Sequence, residues 1–111
     1  MNVILEGQPV SVNQMYRGRR FLTPEGRSIK LAYAAQARRQ YKGAVLTEPL
    51  RVDMHVYFPT LNRSDLDNVI KGIWDSLTGI LWKDDRQVRE LHAYKCHDAK
   101  NPRVELLVMP L

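Results

Sequence analysis

Nine consecutive residues, Leu50–Phe58, alternate without a break. Leu50, Val52, Met54, Val56 and Phe58 fall on one side, and Arg51, Asp53, His55 and Tyr57 on the other. A period of two sustained over that length belongs to a strand with one buried face, and Pro59 ends it. Beyond a polar loop at 60–64 the period changes. Leu66, Val69, Ile70, Ile73, Trp74 and Leu77 stand at offsets 0, 3, 4, 7, 8 and 11, the apolar stripe of an amphipathic helix that Gly79 stops. A one-faced strand followed by a one-striped helix buries both by laying the helix on the sheet.

The remaining elements fit that plan. Residues 2–6 (NVILE) read as a short strand. Thr23-Pro24-Glu25 is a helix start, with a capping hydroxyl, proline at the first helical position and an acid in the first turn. The helix is expected to run to about residue 44, with Ile29, Ala32, Tyr33, Ala37, Tyr41 and Ala44 as its buried stripe. A strand is expected at about 86–97, a loop at 98–102, and a last strand at 103–109 with Val104, Leu106 and Val108 on one face. The pattern predicts a single α+β domain over 1–111: a mixed β-sheet with two main helices packed on one face, closing with a hairpin.

Charge narrows the partner. In 111 residues, 17 Lys and Arg stand against 12 Asp and Glu, a net charge of +5, which favours a polyanion. Arg17, Arg19 and Arg20 flank Gly18 between Tyr16 and Phe21. Such a loop suits phosphate and base contacts, or it is a solvated hairpin with 19–23 as the returning strand; composition does not separate the two. Arg27, Lys30, Arg38, Arg39 and Lys42 lie largely off the helix stripe and add to the positive field. A lone cysteine, Cys96, excludes an intramolecular disulfide and a cysteine-rich zinc site. No apolar run has signal-peptide or membrane-spanning length, so a soluble cytoplasmic protein with no membrane partner is expected. Walker, dinucleotide and nucleophile-elbow motifs are absent, and His55, His92 and His97 lack metal-ligand spacing.

Against this basic background the acids of residues 63–87 stand out. Ser64-x-x-Asp67 resembles a capping box, and acids suit a first turn, which by itself accounts for Asp65 and Asp67. Residues two apart on a helix lie about 200° apart around the axis, so sharing one ligand requires the junction into the helix to fall at Asp65. Lys71 lies one turn after Asp67 and one before Asp75, either a ladder of weak ion pairs or a cation placed for phosphoryl chemistry. Asp84-Asp85 suits a turn. If the next strand returns beside the helix start, three or four carboxylates converge and need a cation between them, and an all-oxygen set suits Mg²⁺, with Mn²⁺ as a substitute.

DLDNVIKGIWDSL followed by LWKDDRQV resembles the RusA-type Holliday-junction resolvases, and PVSVNQMYRGRRFLTPEGRSIK resembles that family's opening segment. The resemblance implies that Asp65, Asp67 and Asp85 are metal-binding acids, with Asp84 an accessory or turn residue. It implies that Lys71 is the catalytic lysine, and Lys95 matches a lysine common in the following strand. With Arg17, Arg19, Arg20 and Arg63, Lys95 is a candidate DNA contact. The implied activity is Mg²⁺-dependent cutting of four-way DNA junctions by paired symmetric nicks, carried out by a homodimer. The spacing from Leu77 to Asp84 is slightly compact for that family. Two alternatives stand beside it: a non-catalytic nucleic-acid-binding module whose aspartates only cap helices, and another metal-dependent phosphohydrolase.

Overall fold

The computed structural model describes residues 1–18, 21–62 and 65–111. In chain order it contains β1 (Asn2–Glu6), α1 (Val12–Met15), β2 (Tyr16–Arg17), β3 (Phe21–Leu22), α2 (Pro24–Gln40), β4 (Leu50–Phe58), α3 (Asp67–Leu77), a 3-10 turn at Asp85–Gln87, β5 (Val88–His97) and β6 (Arg103–Pro110). The alternating stretch forms β4, and every second side chain from Leu50 to Phe58 is buried.

Among the described residues β4 sits inside a four-stranded sheet of order β1-β6-β4-β5. It runs parallel to β5, with Val56 opposite Lys95, and antiparallel to β6, with Val56 opposite Val104. The expected closing hairpin does not form, because β4 separates β5 from β6. Helix α3 carries the chain from the end of β4 back to its start, which obliges β5 to run parallel; β6 then returns along the opposite side of β4. No helix of the structure is long and apolar enough to cross a membrane.

Both main helices cover one face of this mixed sheet. Tyr33 and Ala37 of α2 and Val69, Ile73 and Leu77 of α3 pack with Val3 and Leu5, the inward set of β4, and Val104, Leu106 and Val108. Thr23 caps α2 as expected, its hydroxyl accepting from the Gly26 N–H at 2.9 Å. The helix ends at Gln40, so Ala44 lies beyond it, and Ala34 rather than Ala32 turns inward.

Met15 locks the helical layer together. A Cβ on Gly26 of α2 would lie 2.2 Å from the Met15 carbonyl oxygen, and one on Gly72 of α3 would lie 2.3 Å from its sulfur. Glycine at both positions lets α1 enter the seam between the two helices, which delivers Tyr16 to the polar face of α3.

Candidate active site

The first two acids arrive where β4 ends. Helix α3 begins at Asp67 and no side chain caps it among the described residues; Leu66, with φ −61° and ψ −42°, already has helical backbone. Asp65 therefore stands immediately before the helical backbone, at the junction. The Asp65 carbonyl accepts from the Asn68 N–H (3.2 Å), and its carboxylate accepts from the Asn68 side-chain amide (3.1 Å). Neither Asp65 nor Asp67 is used as a cap, and both are exposed beside the positive end of the helix. The predicted capping box includes Ser64, which lies outside the described residues. Asp65 lines a cleft with Gln8, Pro9, Gln14, Pro59 and Asn68.

The far end of β5 fastens the loop that leads to these acids. Lys95 Nζ donates to the Leu61 carbonyl at 3.1 Å, a His97 ring nitrogen lies 3.1 Å from the Pro59 carbonyl, and the Asp98 N–H donates to the Phe58 carbonyl at 3.0 Å. Lys95 thus holds the loop by its ammonium as well as being a candidate DNA contact. His55 is a packing residue, stacked on Tyr94 at 4.6 Å.

Lys71 stands one turn beyond Asp67 on the same helical face. Its Nζ donates to Asp75 Oδ2 at 2.9 Å and sits 3.9 Å from the centre of the Tyr16 ring. The Tyr16 hydroxyl donates to that same Asp75 oxygen. Burial, followed by the bond to and the charge of Asp75, holds the Tyr16 hydroxyl well above its ordinary range, so it stays a proton donor. The ion pair is half exposed and adds little stability by itself. Clamped between an anion and a π face, however, the ammonium has a fixed direction. Of the expected ladder, the half towards Asp75 is what forms. The role of Tyr16 had no signal in the sequence, because its partner lies 59 residues away.

The second acidic pair lies elsewhere. Asp84 caps the 3-10 turn, accepting from the Arg86 N–H at 2.9 Å and from the Arg86 guanidinium, while its own N–H donates to Gln87 Oε1 at 2.8 Å. The Arg86 side chain first, then its backbone N–H, hold the Asp84 carboxyl down at about 2. Asp85 shares a groove with Lys30, Asp75, Thr78 and Lys83 at the C-terminal end of α3. Eleven helical residues rise about 16 Å, and that length separates this groove from the start of the helix. Among the described residues no three His, Cys, Asp or Glu side chains gather in a group able to hold a metal ion. Asp65 and Asp67 have the oxygen chemistry that Mg²⁺ or Mn²⁺ favours, but one chain does not supply the expected three-acid cage.

Of the candidate DNA contacts, Arg17 is exposed on β2, while Arg19, Arg20 and Arg63 lie outside the described residues. The basic residues of α2 reach the same side of the molecule, with Arg27, Lys30 and Arg38 beside Asp75.

A family model described as Endodeoxyribonuclease RusA matches residues 6–109 of the chain. The crossover junction endodeoxyribonuclease of Enterobacteria phage 82 is 33% identical over 108 residues, covering 90% of this chain and 87% of the relative. The proteins of the same description from Shigella sonnei strain Ss046 and Escherichia coli strain K12 match at the same identity and coverage.

Proposed function

The chain belongs to the RusA family of endodeoxyribonucleases, and from that premise we propose that it resolves four-way DNA junctions by Mg²⁺-dependent paired nicks, acting as a homodimer, with Mn²⁺ able to replace Mg²⁺. The observation that supports this reading most is the start of α3. Two acids there are not used as caps, and a cation clamped by Asp75 and Tyr16 stands one turn away. A helix that merely needed capping would direct Asp65 or Asp67 at its own N–H groups. Asp84, which does cap, behaves as the capping alternative expects.

In this reading Asp65 and Asp67 are the metal-binding acids, joined by Asp85, with Asp84 shaping the turn. A divalent cation supplies the charge that holds the scissile phosphate in such a reaction. Hydrolysis places a water oxygen on phosphorus and releases the 3′ oxygen, which takes up a proton, leaving 5′-phosphate and 3′-hydroxyl ends. The Lys71 ammonium is placed to neutralise charge that develops on the phosphate or on that leaving oxygen. Arg17, Arg19, Arg20, Arg63 and Lys95 contact the DNA backbone. A junction has two-fold symmetry, so a two-fold protein presents one site to each of two opposed strands.

The test is a synthetic mobile four-way junction beside a linear duplex, each with and without Mg²⁺, with the nicks mapped. Symmetric nicks in the junction that require Mg²⁺ are expected. Equal cutting of the linear duplex would remove the junction assignment, and turnover of free nucleotides with little salt-sensitive DNA affinity would favour another phosphohydrolase.

A further inference from the structure

We propose that the cleft beside Asp65 is a base-reading pocket: it takes one unstacked nucleobase of the strand being cut, next to the scissile phosphate, and reads it through the side-chain amides of Gln8, Gln14 and Asn62. The proposal rests on the functional reading above and deepens it, by giving that site a preference for the base at the cut.

The chemistry of the cleft selects its occupant. Pro9, Phe58, Pro59 and Val69 form apolar walls, and the side-chain amides of Gln8, Gln14, Asn62 and Asn68 supply most of the polar lining. Among the described residues no Lys, Arg or His lines it, and its charged group is the Asp65 carboxylate. A pocket for phosphate carries cations that pair with the anion, so this cleft suits a neutral polar group. A side-chain amide both donates and accepts, which lets it match the mixed donor and acceptor edge of a base. Apolar walls pack on the flat faces of the ring. The volume, about 250 Å³, falls below the roughly 300–1,000 Å³ of sites for drug-sized ligands and leaves room for one planar ring system.

Local structure holds the reading groups in place. Gly7, with φ 114°, turns the chain at the end of β1, and its N–H donates to the Pro102 carbonyl at 3.1 Å. That turn brings Gln8 and Pro9 to the cleft. In the capping box of α1, Gln14 Oε1 accepts from the Ser11 N–H (3.2 Å) and hydroxyl (3.3 Å), which leaves the Gln14 amide nitrogen as a fixed donor. The side chains of Gln8 and Asn62 have no hydrogen-bond partner among the described residues.

Asn68 joins the cleft to the chemistry. Its amide nitrogen donates to Asp65 Oδ2 at 3.1 Å, so its carbonyl oxygen is left to accept from a base. A fitting base steadies the acid that binds the metal, and a misfit leaves it loose, so the preference falls on the cleavage rate. Unstacking costs least where stacking is already interrupted, as at a branch point. The same pocket therefore favours a junction over a linear duplex.

Junctions carrying each of the four bases in turn on either side of the nick test this, cut by the unaltered protein and by Gln8→Ala and Asn62→Ala chains. A preference of roughly tenfold or more for one base is expected, reduced by roughly fivefold or more in each variant, with junction affinity kept in gel shift. An abasic nucleotide at that position should be cut as slowly as the least favoured base. Equal cutting of all four bases, or variants that slow all four alike, would deny the cleft a reading role and overturn the proposal. In Mg²⁺-free binding, 2-aminopurine placed in turn at each position around the branch point should brighten at one of them when protein is added, as an unstacked base does. It should brighten less with Asn62→Ala. Unchanged emission at every position, or the same rise with the variant, would also overturn the proposal. If the unaltered protein cuts no junction, the functional reading fails, while 2-aminopurine emission still decides whether the cleft takes a base.

Discussion

The two edges of one sheet are finished in different ways. At β1, two glutamines of α2 satisfy the outward N–H and carbonyl groups of Ile4 and Glu6 and close the edge. At β5, ten residues run along the sheet without a buried side chain. Among the described residues the outward groups of β5 have no comparable cover. The two ends of the sheet differ in their chemistry as well: Gln8 and Pro9, just after β1, line the cleft that holds Asp65, while Asp84 and Asp85 lie just before β5.

The largest expected effect sharpens that contrast. Asp67→Asn and Asp85→Asn, at opposite ends of α3, should each lower junction cleavage by at least about 100-fold while junction binding survives, as gel shift beside a cleavage assay would show. Full activity in either variant would detach that acid from the site. Next in size is Lys71→Ala, expected to slow cleavage by roughly 10²-fold with Mn²⁺ affinity largely kept; an equal loss of metal binding and rate would count against charge neutralisation. At the closed edge, Gln36→Ala and Gln40→Ala remove hydrogen bonds that contribute about 1 kcal/mol each. Lower urea midpoints and concentration-dependent assemblies larger than a dimer are expected, since the substitutions open β1 as β5 is open. Unchanged assembly would mean that the glutamines do not guard that edge.

The smallest effect is acid-dependent. Asp84 is lowered from an ordinary 3.8 to about 2, chiefly by Arg86. A depressed carboxyl contributes its stabilisation fully above the unfolded value and loses it as pH falls through the folded one. Asp84→Asn should therefore flatten the part of the acid-unfolding curve between about pH 4 and 2, and a curve parallel to the parent's throughout would remove Arg86 as the cause.

Much of the architecture was legible in the residues. The stripe from Leu66 to Leu77, the capping signal at Thr23 and the alternation in β4 each became the expected element, because each depends on neighbours a few positions apart. That Lys71 shares a helix face with Asp67 and Asp75 was legible on the same grounds. What failed was inference across distance. The closing hairpin assumed that consecutive strands pair, and the convergence of three or four carboxylates was conditional on the turn before β5 returning to the start of α3. The crossover reverses both, because a helix laid antiparallel to β4 must end where β4 begins.

The sequence by itself determined which segments become strand or helix and which side of each is apolar, since backbone periodicity is written in local spacing. Only the tertiary structure decided that β4 separates the last two strands, that Tyr16 and Asp75 orient Lys71, and that α2 closes the β1 edge of the sheet. Those outcomes depend on contacts between residues far apart in the chain, and they emerge only when the apolar faces are packed together.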